Sequence, residues 1–205
     1  MNRMLAFGCS LTFGHGLKDC IGFDNAPGTF CSNYAWPSLL AKKLNREVLN
    51  LSHPGASNKE IWHKIVNTQF ENDNLVFILW SHHDRYCIIE DENYTHQLGV
   101  WNVSKDKRSK LYFKNFYNDL DANYDTNLRM MHSEYFLREK NVKVFHLNVN
   151  RQFIIQSWNT LNFLKPNFNI IRQQFPKALD NHHPGEEAHE EFANQIYKEI
   201  KYENK

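Results

Sequence analysis

Only four cysteines occur in 205 residues, Cys9, Cys20, Cys31 and Cys87, and none form a Cys-x-x-Cys pair. That excludes the spacing of a zinc knuckle or a thioredoxin-like dithiol, and leads to the expectation of reduced thiols in a cytosolic setting. Long apolar runs are also missing; none approaches the roughly 20 residues that span a bilayer. The run Met4–Phe7 is too short for the apolar core of a secretory leader, so a cytoplasmic chain without membrane association is expected. No charge of one sign dominates: 24 Lys and Arg against 23 Asp and Glu leave a net +1. Such a balance gives no global pull toward nucleic acid. Repeats and low-complexity tracts are absent as well. What remains is 41% hydrophobic, enough for one folded domain over residues 1–205 with a substantial core.

Apolar runs alternate with helical patterns. Met4–Phe7, Glu47–Leu51, Leu75–Trp80 and Val142–Val149 read as strands. Leu75–Trp80 is apolar at all six positions, as suits a central parallel strand covered on both faces. Trp36, Leu39, Leu40 and Leu44 share a helical face, with Pro37 near the helix start, where its missing N–H costs little. Ser57 followed by Glu60 is a capping box before a second helix. Further helices are expected over about 125–139 and 186–200. This order predicts an α/β fold, a central parallel sheet between helical layers. Two stretches, about 86–122 and 150–178, lack a period and read as irregular insertions rich in aromatics. Tyr94, Trp101, Tyr112, Phe113, Phe116 and Tyr117 lie in the first, and Trp158, Phe163 and Phe168 in the second. They form either small satellite cores or a stacking surface for a flat substrate such as a sugar.

The chemistry concentrates in four blocks. Gly8-Cys9-Ser10 follows the first strand, which puts Ser10 at a strand's carboxyl end, where open α/β sheets bind ligands. A serine hydroxyl needs a base. Asp180-Asn181-His182-His183 supplies a histidine and, three residues earlier, a carboxylate able to orient it. Gly55 lies in Asn50–Asn58 after the second strand, and Ser81-His82-His83-Asp84 follows the central one.

These blocks, GCSLT, NLSHPGASN, SHHD and DNHHP, appear in the order found in the SGNH (GDSL-type) hydrolases, which the chain resembles. The resemblance implies a flavodoxin-like three-layer α/β/α sandwich and a serine ester hydrolase working through an acyl-enzyme. It implies Ser10 as nucleophile, His183 as base and Asp180 as orienter. The oxyanion hole would use the backbone N–H groups of Ser10 and Gly55 and a side chain of the third block. No cofactor or metal is implied. The substrate would be a small-molecule or carbohydrate ester, an O-acetyl group on a sugar among them.

Two departures stand out. Cys9 fills the slot where the family carries aspartate, and a histidine stands where its oxyanion asparagine belongs. Aligning Asp84 with the motif puts His83 in that place; a one-residue slide puts His82 there. A neutral imidazole can donate one N–H. The departures motivate a second reading, a catalytically weak or inactive SGNH-like domain that binds glycan or protein. A metal alternative draws on His82, His83, Asp84, Asp180, His182 and His183, but adjacent histidines seldom reach one ion and no His-x-x-x-His pair anchors it.

Overall fold

The computed structural model describes residues 2–92, 94–149 and 161–203. Four strands form a parallel sheet: β1 (Arg3–Phe7), β2 (Glu47–Asn50), β3 (Leu75–Trp80) and β6 (Lys143–Asn148), in the order β2-β1-β3-β6. The all-apolar β3 lies inside the sheet, with Val76–Trp80 wholly buried. β2, at the edge, alternates exposed and half-buried residues. At the opposite edge a parallel bridge from Phe163 to His146 continues the pairing by one residue.

Helices α2 (Trp36–Leu44) and α7 (Glu186–Glu203) pack together on one face. There the Trp36 ring meets Phe77 and Phe192 edge-on, at 6.4 and 5.5 Å between centroids. Helices α3 (Asn58–Val66) and α5 (Asp119–Glu139) cover the other face, where Phe70 bridges Phe7 and Phe136. The result is the expected three-layer α/β/α arrangement around a parallel sheet. β1 is flanked by β2 on one side and β3 on the other, so the chain reverses direction across the sheet beside β1. That reversal opens a crevice at the carboxyl ends of the strands. Half of the capping box forms: the Glu60 N–H donates to Ser57 Oγ at 3.2 Å, while the Glu60 carboxylate meets His53 Nδ1 and Gln97 Nε2 instead. Among the described residues no helix is long and apolar enough to cross a membrane.

Residues 86–122, read as irregular, instead hold an antiparallel hairpin, β4 (Tyr86–Ile89) and β5 (Thr95–Leu98), and helix α4 (Lys107–Asn115). Neither element has a full apolar face of its own, which hid it: β5 reads Thr-His-Gln-Leu, and α4 buries only Ser109 completely. Local caps define the helices instead. Asp106 accepts from the Ser109 N–H at 2.8 Å, and Asn118 caps α5 at Asp119, ahead of the expected start near residue 125. Of the second stretch, 150–160 lie outside the described residues; 161–178 contain the short helix α6 (Phe168–Ile171), whose Phe168 stacks on Phe192 at 4.4 Å. Phe163 and Phe168 therefore serve the main core, while Trp158 lies outside the described residues.

Candidate active site

After β1 the chain turns through Gly8 and Cys9 into helix α1 (Ser10–Phe13). A Cβ on Gly8 would fall 2.1 Å from Thr12 Oγ1 and 3.1 Å from the Leu79 carbonyl oxygen, so the turn closes this tightly only on glycine. Cys9 is fully buried at the helix cap, its carbonyl accepting from the Thr12 and Phe13 N–H groups. Ser10 opens the helix and is 7% exposed. Its backbone N–H belongs to the first turn, which has no intrahelical partner, and it donates no hydrogen bond among the described residues.

The second component is the loop before α7. His183 Nδ1 lies 2.5 Å from Asp180 Oδ2, and Asp180 Oδ1 accepts from the His182 and His183 N–H groups at 2.9 and 3.0 Å. Asp180 is 4% exposed. Burial opposes its ionisation, but those three hydrogen bonds outweigh it, and the carboxyl titrates below its usual range. Burial lowers the His183 pKa; the Asp180 contact raises it, and the fields of His15 and Arg85 lower it further, leaving a net depression. The imidazole is therefore neutral near pH 7, with its Nδ1–H directed at Asp180. His182 is exposed and contributes its peptide N–H.

This loop is docked on the turn that carries Ser10. The Leu179 N–H donates to the Gly16 carbonyl at 3.0 Å. Gly16 has φ +87°, and a Cβ there would lie 2.7 Å from the Asp180 carboxylate. Ser10 and the Asp180–His183 pair are thus brought to adjoining loops at the carboxyl edge of the sheet. No hydrogen bond joins Ser10 Oγ to a His183 ring nitrogen among the described residues.

Gly55 belongs to the loop after β2, which is pinned to the same turn by the His53 N–H donating to the Gly8 carbonyl at 3.1 Å. Its φ is +80°, and its N–H, like that of Ser10, donates no hydrogen bond among the described residues. His83 is engaged elsewhere than expected. Its Nε2 sits 3.3 Å from Asp119 Oδ1 on α5, and it lines a cavity of α5 residues including Asn127 and Met130. α5 starts early enough to place Asp119 against this ring. His82 is half-buried, and burial, reinforced by Arg85, pushes its imidazole down to about 4.

Three neighbours carried no signal in the sequence. His15 and Gly16 lie just past the first block, but their contacts with the Asp180 loop are long-range. Arg85 follows the third block; its guanidinium lies 5.0 Å from the Trp101 ring centre, and its buried Nη1 has no hydrogen-bond partner among the described residues. It borders a cavity of about 440 Å³ lined also by Lys59, Tyr86, Tyr112, Phe116 and Tyr124. Tyr86 and Tyr112 stack at 4.9 Å, whereas Phe116 and Tyr124 are exposed. The aromatics of this region thus divide between a satellite core and an open surface.

No family model matches the sequence, and no curated protein does. Solved structures match closely in fold. A protein of the G-D-S-L family from Desulfitobacterium hafniense DCB-2 is 10% identical, with a TM-score of 0.58 over 97% of this chain and 99% of that one. The acetyl xylan esterase Est2A from the rumen bacterium Butyrivibrio proteoclasticus is 11% identical, with a TM-score of 0.63 over 98% of this chain and 64% of that one. A carbohydrate esterase, whose active site is described as having divergent catalytic and non-catalytic binding functions, is 9% identical with a TM-score of 0.56, covering 98% of this chain and 64% of its own. The chain spans just under two thirds of both carbohydrate esterases. At these identities the likeness establishes a shared fold, that of SGNH-type esterases and lipolytic proteins.

Proposed function

We propose that this chain, built on the fold of SGNH-type esterases, is a serine ester hydrolase with Ser10 as nucleophile, His183 as general base and Asp180 as its orienter. Ser10 Oγ attacks the ester carbonyl carbon while His183 Nε2 takes its proton. The carbonyl π pair moves to oxygen, and collapse of the tetrahedral intermediate expels the alcohol, protonated by His183. Water, activated by the same imidazole, then releases the acid and restores Ser10. The backbone N–H groups of Ser10 and Gly55 receive the developing oxyanion; a donor of this kind is typically worth about 10²–10³ in rate.

The single observation that carries the reading is the part-buried Asp180–His183 hydrogen bond of 2.5 Å, in a loop docked on the Ser10 turn. The bond sets the tautomer so that the Nε2 lone pair is available. The Ser10–His183 hydrogen bond would form as substrate binds, since catalytic bonds of this kind tighten in the substrate complex. Carbohydrate O-acetyl esters are the proposed substrate class. Supporting this are the fold shared with carbohydrate esterases and the cavity lined by Tyr86, Tyr112, Phe116 and Tyr124 beside Arg85. The test is turnover of p-nitrophenyl acetate and labelling by a fluorophosphonate. Both are expected in the wild type and lost in Ser10→Ala with its fold intact.

The second reading, a binding module without turnover, is favoured by one observation, the engagement of His83 with α5 in place of a third oxyanion donor. It predicts glycan binding by a well-folded protein that neither labels nor hydrolyses.

A further inference from the structure

We infer that His15 and His183 together form a binding site for a divalent transition-metal ion of the zinc type, and that an ion bound there switches the hydrolase off. His15 has no part in the reaction described above. It sits one residue past the αL glycine that ends α1, its peptide N–H donating to the Ser10 carbonyl at 3.2 Å. Its ring lies 4.3 Å from the His183 ring, centroid to centroid, tilted by 35°. One donor atom each from His15, Asp180 and His183 lie within 4.8 Å of one another.

The accounting of ring nitrogens points to a ligand. His15 Nε2 is 2.9 Å from the Asn25 carbonyl oxygen. A carbonyl only accepts, so Nε2 carries the proton and Nδ1 keeps its lone pair. His183 is held in the converse way: Nδ1–H faces Asp180, and Nε2 keeps its lone pair. Each ring therefore donates one N–H to an oxygen and presents the other nitrogen bare. That is the arrangement that orients metal-ligating histidines, one through a backbone carbonyl and one through a carboxylate. Among the described residues neither bare nitrogen makes a hydrogen bond. Two imidazole nitrogens suit zinc, copper or nickel, whereas magnesium and calcium favour oxygen. An ion with zinc–nitrogen bonds of about 2.0–2.1 Å would draw the two ligand nitrogens to roughly 3.3 Å apart. Two waters complete the coordination.

The inhibitory consequence rests on the reading of His183 as the base. The lone pair that would bind the ion is the one that takes the Ser10 proton, so the two uses exclude each other. The site would thus suppress turnover, in contrast to a catalytic metal.

The test uses tag-free protein and zinc chloride as the probe. Binding is measured on Ser10→Ala by equilibrium dialysis with metal analysis, a readout independent of activity. One zinc per chain is expected. His15→Gln, which retains a donor to the Asn25 carbonyl but no imidazole, should weaken uptake by roughly tenfold or more, the scale on which even an outer partner shifts metal affinity. His183→Ala should do the same. In the active protein zinc should inhibit p-nitrophenyl acetate hydrolysis, a chelator should restore it, and His15→Gln should resist inhibition relative to its own zinc-free rate. No uptake at millimolar zinc, or uptake that neither histidine substitution changes, overturns the site. Uptake by Ser10→Ala in a protein whose wild type never hydrolyses esters leaves the site standing and removes the hydrolase reading.

Discussion

At the scale of single residues, Gly16 shows how far the candidate site depends on contacts between distant segments. Its φ of +87° is one that L side chains rarely adopt, and its missing Cβ leaves room for the Asp180 carboxylate. Gly16→Ala is expected to cost about 1–3 kcal/mol from the backbone conformation alone. It should also push Asp180 away from His183. Denaturant unfolding measures the first effect. The second appears as a fall in kcat with KM nearly unchanged, because the imidazole loses its orientation and the substrate contacts do not. Equal activity in a destabilised variant would show that Asp180 tolerates the displacement.

At the scale of elements, α5 is tied to the sheet by a buried polar chain as well as by apolar packing. Trp80 Nε1–H donates to His146 Nδ1 at 2.9 Å, and His146 Nε2 lies 2.9 Å from Glu134 Oε2. Indole only donates, so His146 Nδ1 accepts and its proton sits on Nε2, facing the carboxylate. Glu134 also accepts from Arg138 Nε at 2.5 Å. Burial opposes its ionisation, yet the His146 and Arg138 contacts prevail and its carboxyl titrates below the usual range. Removing Glu134 leaves the buried His146 Nε2–H without its acceptor, at about 1–3 kcal/mol. Glu134→Ala should destabilise on that scale in chemical denaturation. Trp80→Phe, which leaves His146 Nδ1 without its donor and opens space at a wholly buried ring, should cost at least as much. This network was not legible in the sequence. Trp80, Glu134 and His146 are far apart along the chain, and His146 reads as one residue of an apolar strand.

At the scale of the whole molecule, His189 couples the fold to pH. It is fully buried on α7, where Nδ1 accepts the Trp36 N–H at 3.1 Å and the Phe168 ring meets it edge-on at 4.9 Å. Burial pushes its pKa down to about 3, with a smaller contribution from the His183 charge. In the unfolded chain an imidazole titrates near 6.5. Between these values the unfolded state binds the proton and the folded state does not, so stability rises with pH. The contribution is complete above about pH 6.5 and is lost as pH falls toward 3, by up to about 1.4 kcal/mol per unit. Unfolding free energies measured across that window should show this slope. His189→Gln, which keeps an acceptor for the Trp36 N–H, should flatten it even if the variant is less stable at pH 7.

The sequence alone determined the sheet strands, the Ser57 helix cap and the residues of the Asp180–His183 pair. These are local signals: β3 announces itself by six apolar residues, Ser57 caps a helix three residues away, and Asp180 reaches His183 within one loop. Tertiary structure decided the rest. The hairpin and α4 carry too little apolar surface to impose a period, so only their packing defines them. His83 faces α5 because Asn118 starts that helix early, a matter of one cap. His15 lies against His183, and Gly16 against Asp180, because two loops some 165 residues apart meet at the crevice beside β1. Chain proximity could never signal those contacts, since they arise from the strand order that brings the ends of the sequence together.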